Sequence, residues 1–168
     1  MLDVAIEADP EWDSSAGWDG LVRTAAEAAI CESDYPQIAG SDRHFELSVR
    51  LTDDDEVRAL NAQWRGKDKP TNVLSFPQLD PRQLEDAADS GPELMLGDLV
   101  LARGVCSREA EEKAIPIELH AAHLIVHGTL HLLGYDHQDE QSAGEMESRE
   151  VRALARLGIA DPYAESGH

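Results

Sequence analysis

The stretch HLIVHGTLHLLGYDH, His123 to His137, places four histidines inside the most apolar helix-forming run of the chain. On an α-helix, residues four apart differ by about 40° around the axis and about 6 Å along it, so His127 and His131 point the same way and can share one ion. His137 cannot join them if the helix continues, because ten residues rise about 15 Å while zinc–nitrogen bonds are only about 2.0–2.1 Å. Gly134 stands where a left-handed C-terminal turn would end the helix, and the segment GYD is then long enough to bring His137 back. Any one of these histidines alone reads as a hydrogen-bonded residue on a partly buried face. HxxxH followed by a chain reversal and a third histidine reads instead as a metal centre. His120 and His123 lie on nearly the same stripe, so spacing leaves open which three coordinate, and a pair of His123 and His127 is an alternative.

Three neutral imidazoles with no thiolate leave a fourth position open, as in catalytic rather than structural zinc sites, and imply bound water there. The spacing H, i+4, i+10 with glycine at i+7 is that of the metzincin motif HExxHxxGxxH, but Gly128 occupies the position of its catalytic Glu. The general base expected for peptide hydrolysis is therefore missing. Glycine within a helix costs about 0.5–1 kcal/mol relative to alanine, which suggests that Gly128 clears space beside the metal for a bulky substrate group.

Outward from this run, alternating Leu2, Val4 and Ile6 predict a first strand, and the alanine-rich Leu21 to Ile30 a helix packed on it. HFELSVRLT reads as a half-buried strand. The acids Asp53 to Glu56 mark a first helical turn before Val57, Leu60 and Trp64, with Gly66 ending that helix. TNVLSF is a strand stopped by Pro77, residues 78–93 a polar loop, LMLGDLVLA a strand, and SREAEEKA a helix, with Pro116 opening the histidine-bearing helix. A last helix runs from about Asp139 to Leu157, acidic at its start and basic at its end, with Met146 in its core pattern. The order β, α, β, α, β, β, α, α, α gives an α+β fold: a single domain over residues 1–168, with a small mixed sheet packed with helices and a metzincin-like three-histidine metal site.

A 168-residue chain with 42% hydrophobic residues can bury one core. It shows no basic, apolar leader and no run near the ~18 apolar residues of a membrane span, so a cytoplasmic protein is expected. Cys31 and Cys106 fit reduced, packed thiols better than a disulfide. The formal charge of −20 argues against a polyanionic partner. Locally, however, Arg58, Arg65, Lys67 and Lys69 face only Asp68, and charge alone reads this as a solvated helix end.

The segment HGTLHLLGYDH, together with NAQWRGKDKPTNVLSFP (Asn61 to Pro77), GDLVL from Gly97 and the closing GIADPY, resembles the YbeY family of metal-dependent endoribonucleases, also called ribosomal RNA maturation factors. The resemblance spans residues 61 to 163. It implies one zinc ion held by His127, His131 and His137, and a functional arginine at Arg65. It also implies action on single-stranded RNA, 3′-end maturation of small-subunit ribosomal RNA, and ribosome quality control. One departure is Asn72 where many members carry Asp, which removes any role needing a carboxylate there.

On this reading Arg65 offers a planar fork of donors to phosphate, and Lys67 and Lys69 guide RNA as point charges. Trp64 could stack a base, but its spacing from Leu60 reads as a core anchor. Asp136 either orients an imidazole or caps the following helix. No residue stands out as general base, and the 2′-hydroxyl of RNA is an alternative nucleophile to water. A nuclease this acidic is expected to meet its RNA on the ribosome or with ribosomal proteins. The competing functions are a ribosome assembly factor with a structural metal and a metal-dependent hydrolase of another anionic substrate.

Overall fold

Alternation of apolar and polar residues builds the sheet, because successive side chains point to opposite faces of a strand. The structure is a computed structural model that describes residues 2–12, 17–40, 43–79, 92–136 and 139–163. Strand β1 (Leu2–Ala8) runs parallel to β2 (Phe45–Thr52), with Leu2 opposite Phe45 and Ala8 opposite Leu51. β3 (Val73–Pro77) is antiparallel to β4 (Leu94–Ala102), which in turn lies parallel to β2. The order β1-β2-β4-β3 is the expected small mixed sheet, with Pro77 ending an edge strand where its missing N–H costs nothing.

Val4, Phe45, Leu47, Val49, Leu51, Leu99 and Leu101 point to one face and join the main core with helices α1 (Trp18–Cys31) and α5 (Ile117–Leu132). Each fully buried Leu, Phe or Val contributes roughly 1.5–3 kcal/mol, so this layer anchors α5 firmly. Leu74, Val100 and Ala102 point to the other face and meet Val57 of α3 (Asp54–Arg65), a much smaller cluster. A short α2 (Gln37–Gly40), α4 (Arg103–Glu112) and α6 (Glu140–Arg156) complete the set of described helices. α4 begins well before the SREAEEKA segment that the sequence marks as helical.

The helix ends carry the expected signals. Asp53 caps α3 by accepting from the Glu56 N–H at 2.8 Å, and Gly66 ends it at φ 69°. Asp139 and Ser142 form a reciprocal capping box on α6, so Asp139 rather than Asp136 caps that helix. At the end of α5 the Tyr135 N–H donates to Leu130 O and the Gly134 N–H to His131 O, with Gly134 at φ 99°. This pair of bonds is the left-handed stop required to turn the chain after His131. Both cysteines are free, and Cys106 is buried. Most of the loop assigned to residues 78–93 lies outside the described residues, as does His137. Among the described residues no helix is long and apolar enough to cross a membrane.

Candidate functional site

α5 is buried almost all round, so its histidines are held by the core itself. The rings of His127 and His131 stand 4.5 Å apart between centroids, and their Nε2 atoms face each other at 3.0 Å. Two nitrogens on a tetrahedral zinc, each at about 2.0–2.1 Å, lie about 3.4 Å apart, so a small outward rotation fits this pair around one cation. His137, the third member of the expected set, lies outside the described residues. Among the described residues no three His, Cys, Asp or Glu side chains are grouped to hold a metal, so the three-histidine centre of the sequence reading is not displayed.

Behind His127 sits Glu150 of α6, with no exposure to solvent. His127 Nδ1–H donates to Glu150 Oε2 at 3.3 Å, while His123 Nε2–H and the Tyr163 hydroxyl each donate to Oε1 at 2.7 Å. Burial alone would raise the Glu150 carboxyl; the hydrogen bonds from His123, His127 and Tyr163 outweigh it and hold the group down at about 2. Tyr163 is pushed the other way, by burial and by the adjacent carboxylate, and stays a neutral donor. An ionised Glu150 keeps the His127 proton on Nδ1 and so turns an Nε2 lone pair towards His131, the tautomer that a metal ligand needs. His123 spends its Nε2 on Glu150, so the alternative pairing of His123 with His127 does not form; their ring centroids are 6.4 Å apart.

A second polar cluster continues from this one. His120 Nε2–H donates to Glu109 Oε1 at 2.8 Å, and Asn72 Nδ2 donates to the same oxygen at 3.1 Å. The Asn72 side-chain oxygen accepts from Val73 N–H at 2.7 Å. An aspartate at position 72 would set a second carboxylate against Glu109 with no N–H to offer it, so Asn suits this site. Burial keeps His120 below its ordinary pKa even though Glu109 pulls upward.

Two cavities meet at Asn72 and His127. One, of ≈ 280 Å³, reaches Glu109, His120, His123 and Tyr163. The other, of ≈ 420 Å³, is lined by Arg65, Ser75, His127 and His131. Arg65 is tied to the wall of this second cavity by a hydrogen bond from Nη2 to the Ser75 carbonyl, and its guanidinium lies 5.6 Å above the Phe76 ring. Buried Asn61 donates to the Lys69 carbonyl at 2.9 Å and fixes the turn after α3, while Arg58 is paired with Asp68 at 2.8 Å. Lys67 and Lys69 are exposed and line neither cavity.

Two expectations change. Trp64, placed in the core by its spacing, is 64% exposed, because α3 covers only one end of the sheet's second face. Gly128 does not clear space for substrate: a methyl there would meet Leu99 Cδ2 at 2.7 Å and Ser75 Oγ at 3.2 Å, so the glycine lets α5 press against β3 and β4. Met146 is buried, as its helical spacing predicts. Sequence reasoning missed Glu150, Glu109 and Tyr163 as site residues. Glu150 and Glu109 read as the wet faces of amphipathic helices, and only the conspicuous GIADPY ending signalled Tyr163.

Comparison with known proteins shows which family the chain resembles. Residues 16–158 match the family model described as Endoribonuclease YbeY. A relative of that name from Rhizorhabdus wittichii is 53% identical over 166 residues, covering 98% of each chain. Another from Novosphingobium aromaticivorans is 54% identical over 161 residues, covering 95% of this chain and 94% of its own. A solution structure from Thermotoga maritima, 23% identical, superposes with a TM-score of 0.52 over 98% of this chain and 100% of that one, and shares the fold.

Proposed function

Because the chain belongs to the YbeY endoribonuclease family, we propose that it is a zinc-dependent enzyme that cuts single-stranded RNA, matures the 3′ end of small-subunit ribosomal RNA and serves ribosome quality control in the cytoplasm. The observation that carries the reading is the His127–His131 pair, backed by Glu150 and facing Arg65 across one cavity. His127, His131 and His137 would hold the ion, one per chain, and a bound zinc would supply Lewis acidity towards a phosphodiester.

The protein's own side chains do the rest. Glu150 fixes the tautomer and the direction of His127. Arg65 spends one donor on Ser75 and keeps the remainder of its fork for a phosphate in the cavity. Lys67 and Lys69, exposed beside it, draw the RNA in by charge. The overall −20 charge opposes encounter with naked RNA, so the ribosome or its proteins would deliver the substrate. The assembly-factor reading needs the metal as a staple between the last two helices. Met146, Ala153 and Leu154 already bury α6 in the core, so the fold should survive chelation.

The test is cleavage of end-labelled single-stranded and duplex RNA by zinc-loaded protein, with His131→Ala purified identically. Cutting by the wild type alone, with single strands preferred, is expected; product ends then separate attack by water from attack by the 2′-hydroxyl. Equal cutting by both proteins would expose a contaminant. Global unfolding on chelation would favour the structural-metal alternative.

A further inference from the structure

α3 covers only the end of the sheet's second face where Val57, Leu74, Val100 and Ala102 meet. Beyond it the same face stays open as a groove of ≈ 600 Å³, lined by apolar Leu60, Trp64 and Phe76 and by polar Ser48, Gln78 and Asp98. Arg65 and Pro77 line both this groove and the cavity that holds His127 and His131, so the two spaces adjoin at the arginine.

We infer that this groove is a nucleobase subsite, in which a base flanking the scissile phosphate stacks on Trp64. The inference rests on the RNA-cleaving function proposed above and specifies how the substrate strand leaves the site.

Continuity and chemistry select this occupant. A phosphate held by Arg65 places the neighbouring nucleoside of the same strand over the groove. There it finds a large exposed π face in Trp64 and a polar edge in Gln78 and Asp98, which already share a hydrogen bond at 3.4 Å. Another phosphate would be poorly received, because Arg50 on the groove floor is taken up by Glu56 and Glu7, and Asp98 adds negative charge. A flat, uncharged ring with hydrogen-bonding edges fits this mixed lining. Only an unpaired base can turn out to stack this way, so the groove also accounts for a preference for single strands.

The tryptophans make the test direct. Trp12 and Trp18 are 1% and 4% exposed, so contact quenching by a bound base reports Trp64. A single-stranded 2′-O-methyl RNA decamer is titrated into the zinc-loaded protein and into Trp64→Phe and Trp64→Leu, with binding followed in parallel by anisotropy of a labelled decamer. Saturable quenching is expected in the wild type. Trp64→Phe, which keeps a π face, should bind within about twofold of wild type, whereas Trp64→Leu, equally apolar, should lose on the order of ten-fold. Circular dichroism verifies that both variants fold, as expected at an exposed position. Unchanged affinity in Trp64→Leu, or binding without quenching, overturns the subsite and leaves the groove to a protein partner. If wild-type protein still cuts RNA in that case, the nuclease reading stands alone; if it neither binds nor cuts, both fall.

Discussion

A carboxylate cut off from solvent survives as an anion only where its hydrogen-bond donors outweigh its lost hydration, and Glu150 has three such donors in His123, His127 and Tyr163. Its removal should therefore be felt at the metal ligands before it is felt in the chemistry. Glu150→Ala frees the His127 ring and takes the carboxylate from buried His123; we expect zinc affinity to fall about 10–100-fold and stability by roughly 1–3 kcal/mol. Glu150→Gln, which keeps an acceptor, should lose less of both. Competition for zinc with a chromophoric chelator and urea denaturation measure the two effects, and wild-type zinc affinity in Glu150→Ala would remove Glu150 from the site. The contrast between His131 and Glu150 shows where sequence stops being informative. His127 and His131 lie one helical turn apart, so local geometry alone pairs them. Glu150 reaches them only because α6 docks on α5, and no period in its own helix distinguishes it from a solvated acid.

At the scale of elements, the arginines at the end of α6 do more than complement its dipole, the role their position in the sequence suggests. Arg152 and Arg156 donate to the two oxygens of Glu32, the residue that ends α1, and Arg149 donates to the Glu32 carbonyl at 2.6 Å and to Asp34 at 3.0 Å. Arg149 also lies 4.9 Å above the Tyr135 ring, whose hydroxyl accepts from Asp34 N–H at 2.9 Å. α1, α6 and the turn that leads to His137 are thus fastened at one corner. The hydrogen bond from Arg156, helped by Arg152, holds the Glu32 carboxyl below its ordinary 4.5 against the opposing effect of burial. A carboxyl lowered on folding stabilises the native state above its unfolded pKa, and that stabilisation fades as pH falls from about 4.5 through the lower folded value. Glu32→Gln should cost about 1 kcal/mol at pH 7, since both arginines are half exposed, and the gap to wild type should close in acid below pH 4.5. Urea midpoints of the two proteins at pH 7 and at pH 3.5 test this; a gap independent of pH would mean that the ion pairs contribute nothing.

For the molecule as a whole, the mixed sheet and its longer helices were legible because alternation, caps and prolines are local signals, and each strand lies within a residue or two of its expected place, whereas the short α2 and the early start of α4 were not foreseen. The depth of burial was not legible: α3 lies on a face it only half covers, which exposes Trp64, and the close seat of α5 on the sheet gives Gly128 a packing role instead of one that clears space for substrate. Charge behaves in the same way, since a total of −20 hides a small basic edge made by Arg65, Lys67 and Lys69, with Arg58 already neutralised by Asp68. If RNA enters over that edge, its affinity should fall with salt in proportion to the phosphates contacted. Three contacts on a single strand give a slope of log affinity against log salt of about −2, or roughly a 20-fold loss between 50 and 200 mM. Replacing Lys67 and Lys69 together by alanine should bring the slope to about −0.7 and weaken binding at low salt, while leaving zinc affinity unchanged because neither lysine lines the histidine cavity. Anisotropy of a labelled single-stranded decamer across that salt range measures the slope directly. An unchanged slope in the double variant would place the entry path elsewhere on this acidic surface and would leave Arg65 as the one phosphate contact of the site.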